Sequence, residues 1–142
     1  MRALFVLASF GILASLSLTV PNHEQIAVDR SIPGKLEYGE CMPYALTLSK
    51  RLSGAGMHGR LIFYKWSLLS DNPESGETSG EHVFVEYQAA GAQWIVDNEH
   101  ADPIRVPIGA SVEQMIWTLS DVAHAPAVRV EPDDRLNRLA FF

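Results

Sequence analysis

Cysteine is almost missing from this chain: one residue in 142, Cys41. A single cysteine excludes an internal disulfide, so packing rather than a covalent staple must hold the fold. It also removes the C-x-x-C pairs of structural zinc sites, and no H-x-x-x-H spacing replaces them. That spacing argues against a metal centre made from Cys41, His58, His82 and His100. Positive charge is scarce too. Eleven Lys and Arg stand against seventeen Asp and Glu, a net charge of −6, and the basic residues form no run. Nucleic acid and anionic membrane surfaces are read by clustered positive charge, so neither is an expected partner. There is no internal repeat and no low-complexity tract.

What is present fits one domain with a real core: 47% of residues are hydrophobic and 20% charged. Residues 1–20 stand apart. Met1-Arg2 precedes a charge-free stretch from Ala3 to Val20, ended by Pro21 and polar Asn22-His23-Glu24-Gln25. The run is long for a signal-peptide core and short for a membrane span. The expectation is a signal peptide or N-terminal anchor over 1–20 and a folded domain over 21–142, with a plain buried helix as the alternative for the first segment. The protein is then exported (periplasmic or secreted) or tethered to a membrane by its N-terminus. In an oxidising compartment an odd cysteine is either paired between molecules or kept as a reactive thiol.

Residues 21–38 read as irregular, with a turn at Ser31-Ile32-Pro33-Gly34. A helix follows from about Gly39-Glu40. Tyr44, Ala45, Leu48 and Leu52 share one face, Pro43 suits the first turn, and Gly54 and Gly56 end it. Arg60 to Leu69 reads as a strand, Ser70 to Gly80 as a polar loop, Glu81 to Gln88 as a second strand and Gln93 to Asn98 as a third. The simplest link between the last two is an antiparallel hairpin through Ala89-Ala90-Gly91-Ala92. Ile104 to Val106 suggests a short strand, and Ser111-x-x-Gln114 a capping box opening a helix to about Leu119. Ala127 to Val130 suggests one more strand.

Chemistry concentrates at three places: Cys41 at the helix start, His82 on the second strand and Asp97 at the end of the third. Unpaired N–H groups and the dipole at a helix start favour a thiolate. An imidazole takes the thiol proton and later returns it to a leaving group, and a carboxylate orients the ring and stabilises its charged form. Strand parity sets a condition. His82 and Asp97 face the same way if the numbers of opposed residues sum to an odd value, as in direct pairing of the two; a slip of one residue separates them. The backbone N–H of Cys41 is a candidate oxyanion donor, and Tyr64, Trp66 and Gln93 are the side-chain candidates. Glu86 reads as a structural polar group. His23, His58, His100 and His124 read as loop or surface residues, and the tryptophans as core.

These segments resemble the transglutaminase-like superfamily, a papain-related group with Cys-His-Asp sites. Gly39-Glu40-Cys41 with Tyr44-Ala45 matches its helix start. Leu52 with Gly56-Met57-His58-Gly59-Arg60-Leu61 is similar to its helix end and next strand. His82-Val83-Phe84-Val85-Glu86 matches its His-x-x-Val-Glu strand, and Gly91, Trp94 and Asp97 its following hairpin. Val96-Asp97-Asn98 is also similar to the bacterial transglutaminase-like cysteine proteinase branch. The likeness covers about residues 39–106. It implies an α+β fold with a papain-like core, in which a Cys-bearing helix packs on an antiparallel sheet. It further implies a Cys41-His82-Asp97 triad and acyl transfer from a peptide or protein amide, as a peptidase, an amidase or a transglutaminase, without a cofactor. A non-catalytic binding module on the same fold is the alternative. A membrane-tethered structural protein with Cys41 in an intermolecular disulfide is a third reading.

Overall fold

The computed structural model describes residues 22–68, 79–119 and 128–142. Its elements are α1 (His23–Ala27), α2 (Cys41–Gly54), β1 (His58–Leu68), β2 (Ser79–Ala89), β3 (Ala92–Val96), β4 (Ile104–Val106), α3 (Val112–Leu119), β5 (Val128–Pro132) and α4 (Asp134–Asn137). The strands form a five-stranded sheet in the order β4-β3-β2-β1-β5. Every neighbouring pair is antiparallel. The α+β class, the antiparallel sheet and the Cys-bearing helix upon it are therefore as expected. The apolar run of residues 1–20, the loop over 71–78, Leu69, His124 and Ala127 lie outside the described residues.

Alternation along the central strands divides the core in two. Val83, Val85 and Tyr87 face one way and join Tyr44, Ala45, Leu48 and Leu52 of α2, with Ile26 of α1. Phe84, with Ile62, Tyr64 and Ile95, faces the other way and joins Met115, Ile116 and Leu119 of α3. The sheet is thus covered by α1 and α2 on one side and by α3 on the other.

Local chemistry sets most boundaries. The 6→1 and 5→2 bonds of a Schellman motif close α2, Met57 N–H to Leu52 O at 3.0 Å and Gly56 N–H to Ser53 O at 2.9 Å. Gly56 takes the required positive φ of 78°. The Ser111–Gln114 capping box opens α3 through both reciprocal bonds. Between β2 and β3 the turn has two central residues, Ala90 (φ 51°) and Gly91 (φ 69°), with Ala89 opposite Ala92. Two successive positive φ values match the tight turn whose twist suits a hairpin.

Several boundaries differ from expectation: β1 begins at His58 rather than Arg60, and β5 runs on to Pro132. Residues 21–38 are not wholly irregular, because Asn22 and Gln25 form a reciprocal capping box that starts α1. Strand β2 begins at Ser79, two residues early, because Gly80 pairs with Trp66 and Ser79 with Ser67. Strand β3 stops at Val96, so Asp97 lies just beyond it.

The outer edge of β1 is covered in two ways. Its second half, from Tyr64, pairs with β5. Its first half receives the C-terminal tail, with Gly59 and Phe142 exchanging backbone bonds and Leu61 N–H reaching Ala140 O. At the switch, the buried Asn137 amide accepts from Phe63 N–H at 2.6 Å and donates to Phe63 O at 3.2 Å. One side chain thus stands in for a strand residue. Asn137→Ala leaves the Phe63 N–H without this acceptor, at a cost of about 1–3 kcal/mol. Denaturant unfolding of the variant checks this, and an unchanged midpoint refutes the bridging role.

Candidate active site

Cys41 is the first residue of α2 and is partly buried. Its N-cap, Glu40, makes no side-chain hydrogen bond to the helix start, and the first turn carries no acid. Pro43 has no N–H, so Cys41 and Met42 supply the leading backbone donors of the helix.

The chain reaches this helix through a series of tight turns. Lys35 N–H bonds to Ile32 O, Glu37 N–H to Gly34 O and Glu40 N–H to Glu37 O. Gly34, at φ 82°, is required by close approach, since a Cβ there would lie 2.6 Å from Glu40 O. Leu36 adopts a left-handed φ of 61°, a conformation that costs a non-glycine residue about 1 kcal/mol or more.

This loop is tied to the segment that follows β3. Leu36 N–H donates to Asn98 O at 2.6 Å, and Asn98 Nδ2 donates to Glu37 O at 2.6 Å. Lys35 Nζ donates to His100 O at 2.6 Å and to the Tyr44 hydroxyl at 3.2 Å. Burial pushes the Lys35 amine down from its ordinary value, while Asp97 and Asp102 oppose that shift. Burial likewise raises the Tyr44 phenol, with the Asp97 charge adding to it. The start of α2 and the end of β3 therefore occupy one end of the sheet.

His82 reaches the same end from β2. Val85 stands opposite Val96, an odd-sum register. Continued one step, that ladder sets Asp97 opposite Phe84, so His82 and Asp97 are same-face diagonal neighbours rather than directly opposed. The diagonal is closed by a hydrogen bond, His82 Nε2 to Asp97 Oδ2 at 2.9 Å. The Tyr64 ring stands edge-on to the imidazole at 5.5 Å between centroids.

Asp97 is 3% exposed and accepts further bonds through its other oxygen. Oδ1 takes His100 Nδ1 at 2.7 Å, His100 N–H at 2.9 Å and Glu99 N–H at 3.0 Å. Burial alone would raise this carboxyl. The hydrogen bonds from His100 and His82, with their charges, outweigh burial and hold it well below the usual carboxylate range. An ionised Asp97 accepts only, so His82 carries its proton on Nε2 and His100 on Nδ1.

Of the three residues singled out in the sequence, His82 and Asp97 are joined directly. Cys41 is brought to their end of the sheet, but among the described residues no hydrogen bond joins its Sγ to His82. The packing shows why. Helix α2 covers the Val83 and Val85 face of β2, and His82 alternates with them. Any meeting of thiol and ring is at the rim of the sheet, past the end of β3.

Other readings change. His100 is no plain loop residue but a ligand of Asp97, and its signal was the Asp-x-x-His spacing after a strand. His23 is buried, with Nδ1 3.3 Å from the Tyr87 hydroxyl. His58 begins β1 and is exposed. Glu86 is structural, paired with Arg60 and bonded to Gln93 Nε2 at 3.0 Å. Gln93 is also bonded to Gly109 N–H, at 2.9 Å, and so is committed away from the site; it is no oxyanion donor. Trp66 lies against Gly80, leaving Tyr64 beside His82. Among the described residues no group of three or more His, Cys, Asp or Glu is arranged to hold a metal ion, and no helix is long and apolar enough to cross a membrane. No family model, no curated protein and no solved structure matches the chain.

The lowered Asp97 pKa has a stability consequence. Its charged form contributes stability fully above the unfolded value of 3.8 and loses it as pH falls through the folded value. Thermal unfolding of the wild type is expected to weaken steeply below about pH 4. In Asp97→Asn that slope is shallower. Equal slopes in the two proteins contradict the assignment.

Proposed function

We propose that this protein is a cysteine-nucleophile enzyme of amide acyl transfer, with Cys41 as nucleophile, His82 as general base and acid, and Asp97 as the group that orients His82. The observation that carries the reading is the His82 Nε2–Asp97 Oδ2 bond at 2.9 Å, in a fold whose only cysteine opens the adjoining helix. With Nε2 engaged by Asp97, Nδ1 is the ring nitrogen left to take the thiol proton.

The chemistry follows from these roles. The Cys41 thiol passes its proton to His82 Nδ1, and the thiolate attacks the carbonyl carbon of the amide. The oxyanion so formed is met by the backbone N–H groups of Cys41 and Met42. Collapse of the tetrahedral adduct breaks the C–N bond, the imidazolium gives its proton to the leaving amine, and a thioester remains on Sγ. Water, deprotonated by His82, then releases the acid and restores the thiol. An amine acceptor in place of water gives transamidation. Hydrolysis of a peptide or protein amide is the favoured outcome, on a papain-like, transglutaminase-like core. The charge-free run of residues 3–20 supports action outside the cytoplasm, free or tethered.

A non-catalytic binding module is the second reading, favoured by the lack of a Sγ–imidazole hydrogen bond among the described residues. Iodoacetamide labelling of Cys41 against pH separates the two. The triad predicts an inflection well below the free-thiol value of about 8.5, moved up toward it in His82→Ala. It also predicts turnover of a thiol-directed acyl probe that Cys41→Ala abolishes. A free-thiol profile, indifferent to His82→Ala, leaves the binding module.

A further inference from the structure

Asp97 holds two imidazoles, one on each oxygen, and the proposed triad uses only one of them. Three donors converge on Oδ1, and two of them come from His100, through its ring and its backbone. His82 is the side chain bonded to Oδ2. Rotating the carboxylate away from His82 breaks all three Oδ1 bonds at once. The ring of His100 is thus a lock on the torsion that aims Oδ2.

We propose that His100 is a positioning residue for the Cys41-His82-Asp97 chemistry: by donating its Nδ1 proton to Asp97 Oδ1, it fixes the oxygen that orients His82. This rests on the reading of the site as a cysteine-nucleophile centre. The contact is built rather than incidental. The His100 carbonyl is gripped by buried Lys35 Nζ at 2.6 Å, so the residue that locks Asp97 is itself fastened to the loop that delivers Cys41. Other charged or titratable groups facing the pair are His82 from β2, Tyr44 from α2 and Lys35 from the loop before it, with Asp102 acting on Lys35. His100 touches neither thiol nor substrate in this scheme; its effect passes through Asp97.

The consequence is a loss of imidazolium stabilisation when the lock is removed. Without the ring, two backbone donors still hold Oδ1, so the loss is partial. In His100→Ala, alkylation of Cys41 by iodoacetamide near neutral pH falls about tenfold, and its inflection moves to higher pH. His100→Asn places an amide N–H close to the position of Nδ1 and cannot become charged. It restores most of the wild-type profile if the hydrogen bond is what matters.

Wild type, His100→Ala, His100→Asn and His82→Ala are compared in one pH series. Rescue by His100→Asn supports the proposal. A His100→Ala profile that overlays wild type while His82→Ala shifts overturns it and leaves the enzyme reading standing. Equal shifts in both His100 variants also overturn it, since a neutral donor then does not suffice. If His82→Ala has no effect either, the enzyme reading falls first. Nitrogen NMR of the wild type gives a check that needs no variant. Protonated Nδ1 on His100 with protonated Nε2 on His82 agrees with the proposal, and His100 protonated on Nε2 alone overturns it.

Discussion

A carboxylate taken out of water must be answered by hydrogen bonds or lose its charge. Asp97 is such a group, and the end of the sheet is organised around satisfying it. Two imidazoles and two backbone N–H groups converge on it. The backbone donors force the chain to turn sharply after β3. That turn presents the Asn98 and His100 carbonyls to Leu36 N–H and Lys35 Nζ, and so fastens the loop that leads into α2. The positions of the helix start, the strand end and the histidines are consequences of one buried charge. Strain at Leu36 fits this picture, because its unfavourable φ is held by a short bond to Asn98 O.

The second constraint is parity. The Ala90-Gly91 turn fixes an odd-sum register along β2 and β3, which puts His82 and Asp97 on one face, diagonally. The same alternation puts the apolar side chains of α2 against the opposite face. The sheet therefore separates the helix body from the His–Asp pair, and the helix start sits at the boundary between the two.

Legibility followed the range of the interactions. Ser111-x-x-Gln114 announced a helix because both of its bonds lie within four residues. The same signature at Asn22-x-x-Gln25 opens a helix of only five residues, too short to carry a periodic apolar face. Alternation in Val83, Phe84, Val85 and Glu86 gave the strand, its two faces and the pairing with the next hairpin arm. For the Asp97–His82 contact, parity set a condition and left the register open; the two-residue Ala90-Gly91 turn meets it, with a diagonal rather than a direct pairing. For His100 the only sign was the Asp-x-x-His spacing, too weak to assign a role that depends on a turn imposed by backbone donors to a buried acid. Asn137 was still less readable, as its partner Phe63 lies 74 positions away.

The C-terminal tail has a consequence for solution behaviour. Residues 140–142 and the Asn137 amide occupy the outer hydrogen-bonding edge of β1, where β5 does not reach. Stripped of that cover, β1 presents bare amide and carbonyl groups beside apolar side chains, the form of edge that recruits strands from other molecules. Loss of residues 140–142 would thus open this edge to intermolecular pairing, and the segment acts as its guard.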